Sequence, residues 1–188
     1  MSTIEEQWLE RLEPMDPWNR RLFMGILALF GVPATYLDIG CGTGAMIEIA
    51  RYLGINALGI DKIAKPPNEK HNLATPLLLG KKYNLVTSLE VAEHIPEMNA
   101  GVFCNNIAHH MADQGILVFS SAPPGQEGEG HVHLKPGSYW RTMFHNRRVY
   151  WDEGLTLKLQ MIWMLIPSPM MWVPANVQVF MMQEEQKI

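Results

Sequence analysis

The hydrophobic residues of the chain change their spacing near residue 34. Before that point apolar side chains recur every three or four positions, which predicts helices over residues 3 to 13 and 17 to 30. Prolines interrupt the pattern between the two, and Asp16 is the expected cap of the second helix. The second helix is expected to cover a sheet with an apolar face of Leu22, Phe23, Ile26, Leu27 and Phe30.

Beyond residue 34, short apolar runs alternate with helical segments. The runs are "TYLDIG", "NALGID", "YNLVTSLE" and "GILVFSSAP", and the predicted helices between them span residues 44 to 53 and 97 to 112. This alternation is typical of an α/β fold whose parallel sheet carries helices on both faces. Further along, the pattern predicts helices over 137 to 146 and near 152 to 164, then a final strand over 176 to 182.

Net charge and cysteine content limit the partners and the cellular location that we expect. The formal net charge is -4, with a sequence pI of about 6.0, so the chain as a whole does not attract nucleic acid, and a nucleic-acid partner is not favoured. Two cysteines and an acidic N-terminus without an apolar signal core favour a cytoplasmic location. The longest apolar runs are shorter than the roughly 20 residues of a membrane-spanning helix, which predicts no membrane span.

The run "LDIGCGTGA" carries the most chemistry. A strand ends at Asp38 and passes into glycines that let the backbone turn tightly against a ligand. Gly40-x-Gly42-x-x-Ala45 also fits a dinucleotide fingerprint, and Asp61, 21 positions after Gly40, is spaced to accept from ribose hydroxyls. Asp38 would repel a pyrophosphate and attract the ammonium and sulfonium of S-adenosylmethionine. An NAD-dependent oxidoreductase therefore stays a weaker alternative.

The chain resembles class I S-adenosylmethionine-dependent methyltransferases of the type 11 and type 12 groups, including bacterial and phage-borne members. "LDIGCGTG", "GID", "HNLATPLLLGKKYNLVTSLEVAEHIPE" and "GILVFSSAPPG" carry the resemblance, which is strong over residues 34 to 125. It implies a Rossmann-like doubly wound sheet of about seven strands, mostly parallel with an antiparallel C-terminal strand and with the N-terminal helices packed on it. It also implies S-adenosyl-L-methionine as cofactor and S-adenosyl-L-homocysteine as product.

Carried over residue by residue, the resemblance places the methionine part of the cofactor at the glycine run, the ribose at Asp61 and the adenine near Asn72. Asn72 stands where aspartate is common, and its carbonyl can still accept from the adenine amino group. The implied cofactor-binding residues are Asp38, Gly40, Cys41, Gly42, Gly44, Asp61, Lys62, Asn72, Leu73, Ser88, Leu89 and Glu90.

The stretch "PGQEGEGHVHLKPGSYW", residues 124 to 140, should leave the carboxyl end of a central strand, where ligands bind in such sheets. Its glycines and prolines are typical of a lid. His131 and His133 are the first candidates for a general base, with His94 as a further candidate. His94 can equally be a buried residue that shapes its loop, and Glu93 is expected to face solvent. No third ligand at a diagnostic spacing accompanies the histidines, so no metal is predicted.

These features predict one domain over residues 1 to 188. Residues 1 to 33 would be N-terminal helices, 34 to 121 the cofactor-binding core, and 122 to 188 the substrate loop and C-terminal part. The predicted activity is methyl transfer to a small-molecule or glycan-like acceptor, at oxygen. Nucleic-acid or protein acceptors stay open, as does a non-catalytic S-adenosylmethionine-binding module whose Met- and Trp-rich run over residues 161 to 175 contacts a partner.

Overall fold

The computed structural model describes residue 7, residues 10 to 167 and residues 171 to 184. Most of the first predicted helix, residues 3 to 6, 8 and 9, therefore lies outside the described residues, as do residues 168 to 170 of the Met- and Trp-rich run. Within the described ranges, no helix has the length and apolar character that crossing a membrane requires.

Seven strands and six α-helices have both ends within the described residues, and residues 7 and 10 to 12, part of the first predicted helix, are also helical. The strands are β1 (Thr35–Ile39), β2 (Asn56–Asp61), β3 (Glu69–Lys70), β4 (Tyr83–Leu89), β5 (Met111–Ser120), β6 (Val149–Trp151) and β7 (Gln178–Met182). The helices are α1 (Asp16–Phe30), α2 (Ala45–Tyr52), α3 (Ala100–His110), α4 (Gly137–His145), α5 (Glu153–Met164) and α6 (Trp172–Asn176). Single 3-10 turns occupy Glu13–Met15, Ala92–His94 and Glu97–Asn99.

All seven strands form one sheet in the order β3-β2-β1-β4-β5-β7-β6. β7 runs antiparallel to both of its neighbours, and the other described strand pairs are parallel. The predicted fold class is confirmed, including the reversed C-terminal strand. The registers place Asp38 of β1 beside Gly59 of β2 and Thr87 of β4, so three strands end at one edge of the sheet. Neither β3 nor β6 was predicted as a strand.

Helices cover both faces of the sheet, and each face has its own hydrophobic core. On one face, α3 and α4 bury Phe103, Trp140 and Phe144 against the strands. On the other, α1, α2 and α5 pack together, and the indole N–H of Trp163 donates to the carbonyl of Leu22 at 3.0 Å. The apolar face predicted for α1 is buried in this second core as far as Leu27. This arrangement is the predicted doubly wound sheet.

The expected cap of α1 is wrong. The helix begins at Asp16 itself after Met15, and no side-chain cap bond is present. The Asp16 carboxylate instead accepts from the hydroxyl of Thr43 at 2.5 Å. Thr43 belongs to the glycine loop, residues 40 to 44, so this bond draws the first turn of α1 over the loop. A carboxylate near a helix N-terminus is also favoured there by the helix dipole.

Candidate active site

A cavity of about 310 Å³ opens at the edge of the sheet where β1, β2 and β4 end. Its walls come from the glycine loop, the ends of β2 and β4, the turn Ala92–His94 and the N-terminal helix. Ten of the twelve predicted cofactor residues line it: Asp38, Gly40, Cys41, Gly42, Asp61, Lys62, Asn72, Leu73, Leu89 and Glu90. Gly44 and Ser88 do not.

Asp38 is the most buried acidic group of the cavity wall, with 2% of its surface exposed. Its Oδ1 accepts from the hydroxyl of Thr87 at 2.6 Å, and Thr87 also shares a hydrogen bond of 2.8 Å with the Tyr36 hydroxyl. Its Oδ2 has no hydrogen-bond partner among the described residues. Burial raises the pKa of Asp38 to about 7, a rise that the Thr87 bond opposes and the charge of Asp61 assists. A cation at this wall would favour the ionised form.

Asp61 holds the glycine loop against β2. Its Oδ2 accepts from the N–H of Gly42 at 2.9 Å, and its Oδ1 accepts from the N–H of Ile63 at 3.1 Å. The N–H groups of Gly40 and Cys41 donate to the carbonyl of Ile60 at 2.7 and 3.2 Å. Because each carboxylate oxygen has two lone-pair directions, Asp61 keeps acceptor capacity for a ligand on the cavity side.

All three glycines of this loop have positive φ, and at two of them a Cβ would lie less than 3.0 Å from another side chain. Gly40 has φ of 89°, and a Cβ there would clash with the side chain of Val91. Gly44 has φ of 88°, and a Cβ there would lie 2.5 Å from Nδ2 of Asn68. Both positions therefore require glycine. Gly44 lies at the N-cap of α2 and away from the cavity, so its contribution there is to the turn and its packing.

The remaining predicted cofactor residues differ in what their polar groups contact. Asn72 lines the cavity, but its carbonyl already accepts from the N–H of Ala74 at 3.0 Å. Ser88 is fully buried and does not line the cavity, and its hydroxyl has no hydrogen-bond partner among the described residues. Glu90 accepts from the side-chain amide of Gln126 at 3.2 Å, and burial raises its pKa. Glu90 thus connects the end of β4 to the loop that follows β5.

The structure separates the three candidate bases. His94 lines the cavity, and the ring of His131 stands edge-on to it with centroids 5.0 Å apart. His133 is 2% exposed and packs edge-on against Tyr139 and Trp140, and it is not part of the cavity wall. Burial lowers the pKa of both His94 and His133. Of the histidine pair at 131 and 133, neither lines the cavity, and His131 contacts the ring of His94, which does.

The post-β5 loop, residues 121 to 136, is fastened to the turn Ala92–His94. The N–H groups of Val132 and His133 both donate to the carbonyl of Glu93, at 2.9 and 3.1 Å. This contact buries Glu93 completely, so the expectation that Glu93 faces solvent is wrong. Burial raises the pKa of Glu93 to about 8, and the charge of Glu90 adds to the rise.

The outer wall of the cavity is formed by residues that the sequence analysis did not assign to the site. The N-terminal segment and α1 contribute apolar side chains and one amide, and the C-terminal part contributes one valine. These residues are Leu12, Met15, Trp18, Asn19, Leu22 and Val173. The apolar face of a helix in the sequence indicates that the helix packs against the protein. It does not indicate which part of that face lies over a ligand site. The concentration of large side chains at its first turn was the available signal.

The geometry resembles that of known methyltransferases. The family model described as "Methyltransferase domain" matches residues 11–161, more than half of the chain. The chain belongs to this methyltransferase family. Its seven-stranded sheet and reversed β7 agree with the class I S-adenosylmethionine-dependent fold that the sequence predicted.

Curated relatives and solved structures extend the similarity of this methyltransferase. The ubiquinone biosynthesis O-methyltransferase of Bartonella tribocorum is 29% identical over 96 residues, which cover 43% of the chain and 38% of the relative. The chain thus spans less than half the length of the first curated relatives. The N-methyltransferase NodS of Bradyrhizobium japonicum, solved with S-adenosylhomocysteine, superimposes with a TM-score of 0.65 at 18% identity. That match covers 97% of the chain and 100% of NodS, and it shows a shared fold.

Proposed function

We propose that this methyltransferase transfers the methyl group of S-adenosylmethionine to an oxygen atom of a small-molecule or glycan-like acceptor. The observation that carries the proposal is the buried carboxyl of Asp38, whose Oδ2 lacks a partner beside a cavity with a second carboxylate at Asp61. Two carboxylates repel a pyrophosphate and attract the ammonium and sulfonium of this cofactor. The arrangement therefore supports S-adenosylmethionine over a dinucleotide.

The acceptor would bind between the cofactor and the outer wall. Met15, Trp18, Leu22 and Val173 offer apolar surface there, and Asn19 adds an amide. Such a wall suits a compact acceptor with an apolar face and a polar edge. The curated relatives are O-methyltransferases of ubiquinone biosynthesis, and one structurally similar protein is a sugar N-methyltransferase, which supports a small acceptor.

The reaction needs alignment and removal of one proton. A lone pair of the acceptor oxygen attacks the methyl carbon as the carbon–sulfur bond breaks, and the sulfur keeps that electron pair as a neutral thioether. Holding the three atoms in line supplies most of the acceleration. The hydroxyl proton would leave toward His94, which lines the cavity and has the ring of His131 beside it. Burial lowers the pKa of His94, which keeps its imidazole neutral and able to accept near neutral pH.

Calorimetry with S-adenosylmethionine and S-adenosylhomocysteine tests the cofactor, and transfer of labelled methyl tests the reaction. We expect both molecules to bind to the purified protein and NADH not to bind. Label should then appear on oxygen in one class of acceptor when catechols, phenols, sugars, nucleic acid and protein are offered separately. Binding of NADH, or no binding of either sulfur compound, would contradict the cofactor assignment. Cofactor binding without transfer to any acceptor would favour a non-catalytic module.

A further inference from the structure

Three potential metal ligands converge where the turn Ala92–His94 contacts the post-β5 loop. Glu93, His94 and His131 each offer a ligand atom, and these atoms all lie within 4.8 Å of one another. We call this set the Glu93 cluster. It combines two neighbouring residues with one residue 37 positions further along the chain. The loop contacts described above therefore create a combination that linear spacing does not reveal.

Glu93 has the environment of a group that lacks a counter-charge. Its side chain is 0% exposed, and neither carboxylate oxygen has a hydrogen-bond partner of normal geometry among the described residues. A buried carboxylate without a partner is strongly unfavourable. The nearest imidazole nitrogen, Nε2 of His131, lies 4.0 Å from Oε1, too far for a hydrogen bond and close enough for both atoms to share an ion.

Backbone carbonyls hold both imidazoles by the same nitrogen. Nδ1 of His131 donates to the carbonyl of Gln126 at 3.0 Å, and Nδ1 of His94 donates to the carbonyl of Gly130 at 3.1 Å. Donation through Nδ1 makes Nε2 the nitrogen with the lone pair in a neutral ring. Metal-binding histidines are oriented in this way by an acceptor behind the ring.

We propose that the Glu93 cluster binds one divalent transition-metal ion of the zinc type through the Glu93 carboxylate and the two imidazoles. Two nitrogens and one oxygen suit such ions, whereas magnesium and calcium prefer oxygen ligands. Tetrahedral bonds of about 2.0–2.1 Å separate ligand atoms by about 3.4 Å. The 4.0 Å between Glu93 and His131, and the separations of up to 4.8 Å within the cluster, would therefore have to shorten by about 0.6–1.4 Å when an ion binds. Three protein ligands leave a coordination position for water or an acceptor.

The proposed ion would take over proton removal, a role that rests on the proposed function. His94 lines the cavity, so an ion held by the cluster would lie beside the cavity. It would lower the pKa of an acceptor hydroxyl near it, so that the proton could pass to water before the oxygen attacks the methyl carbon. The two imidazoles then act as ligands, and the metal-free protein depends on His94 itself.

Titration of chelator-treated protein with ZnCl2 by calorimetry tests the site without cofactor or acceptor. We expect one equivalent to bind, and Glu93→Gln and His131→Ala each to weaken binding by more than the roughly 10–100-fold that follows loss of an outer-shell partner. His109→Ala is the matched control, because His109 is an exposed histidine on α3 outside the cluster, and it should bind zinc like the wild type.

Equal zinc affinity in the wild type and in folded Glu93→Gln protein would overturn the site. Circular dichroism establishes whether each variant is folded. If Glu93→Gln unfolds, the visible absorption of bound Co2+ in folded His131→Ala protein decides, because an unchanged spectrum contradicts the proposal. Zinc binding without any binding of S-adenosylmethionine would remove the proposed function and leave the metal site. Cofactor binding and methyl transfer without zinc binding would remove the metal site and leave the proposed function.

Discussion

Two glycine-rich segments emerge at the same edge of the sheet, and they are held in different ways. The glycine loop is fixed by its own strand neighbours, since its N–H groups donate to Ile60 and Asp61 at the end of β2. The post-β5 loop is fixed by distant segments, through the carbonyl of Glu93 and through Asn176, whose amide donates to Gln126 at 2.8 Å. The position of the first follows from strand register, whereas that of the second follows from long-range contacts.

Alanine at one glycine of each loop tests this difference most strongly. Gly40 and Gly125 have φ of 89° and 92°, but only Gly40 has a neighbour that a Cβ would meet. We expect Gly40→Ala to lower the free energy of unfolding by roughly 2–4 kcal/mol, from left-handed strain and overpacking together. Gly125→Ala should lower it by about 1 kcal/mol from strain alone. Chemical denaturation measures both, and equal losses would remove the steric explanation.

The two histidines of the post-β5 loop provide the second test. His133 packs between aromatic rings, so His133→Ala should leave a cavity and lower the free energy of unfolding by roughly 2–3 kcal/mol. His131 loses mainly its hydrogen bond to Gln126, and His131→Ala should lower it by about 1 kcal/mol. Thermal unfolding gives the order of the two variants. A larger loss in His131→Ala would contradict the interior position of His133.

Removing the charge of Asp38, next to the glycine loop, tests whether this region binds the cofactor. Asp38→Asn keeps the shape of the side chain and should weaken S-adenosylhomocysteine binding by roughly 10–100-fold, the value of a hydrogen bond to a charged group. Asp113→Asn removes an equal charge from an exposed position and should leave the affinity unchanged. Calorimetry on both variants separates the local contact from net charge. Equal affinity in the two variants would place the ammonium elsewhere.

The raised pKa of Asp38 predicts the smallest effect. As pH falls through about 7 the carboxyl gains a proton, so affinity for S-adenosylhomocysteine should fall by up to roughly tenfold between about pH 8 and about pH 6. For folding without ligand, the pH dependence has the opposite sign. Between about pH 4 and about pH 7 the folded protein keeps the Asp38 proton, whereas the unfolded chain releases it at the ordinary pKa of 3.8. The Asp38 contribution to stability should therefore decrease as pH rises from about 4 to about 7. Asp38→Asn protein should lack both dependences.

The longer strands and helices were predictable because each contains enough residues to show a period. Three short elements were missed: β3, β6 and α6, which contain two, three and five residues. The pairing of β6 with β7 also joins residues far apart in the sequence, such as Val149 and Met182. A strand this short forms because it pairs with a neighbouring strand, and its own sequence therefore does not predict it.

The residues of the candidate site also fall into two groups, those that a local pattern predicted and those that depend on distant contacts. Asp38 and Asp61 were identifiable because each closes a strand whose neighbours end at the same edge. The burial of Glu93 was not, because it depends on Val132 and His133 reaching back from another segment. The hydrogen bond of Asp16 to Thr43 likewise joins residues 27 positions apart. Contacts of this kind arise from packing, and no local pattern encodes them.

The double acceptor role of the Glu93 carbonyl sets a rule for redesigning acceptor preference. Val132 and His133 are both attached to that one atom, so insertions or deletions within residues 130 to 134 would shift the attachment itself. Pro124, Gly125 and Glu127 lie ahead of it and are exposed, and Gly125 has open space around its α-carbon. Libraries that vary the sequence at these three positions and keep Gln126, which Asn176 holds, should therefore yield more folded variants than libraries that span 130 to 134.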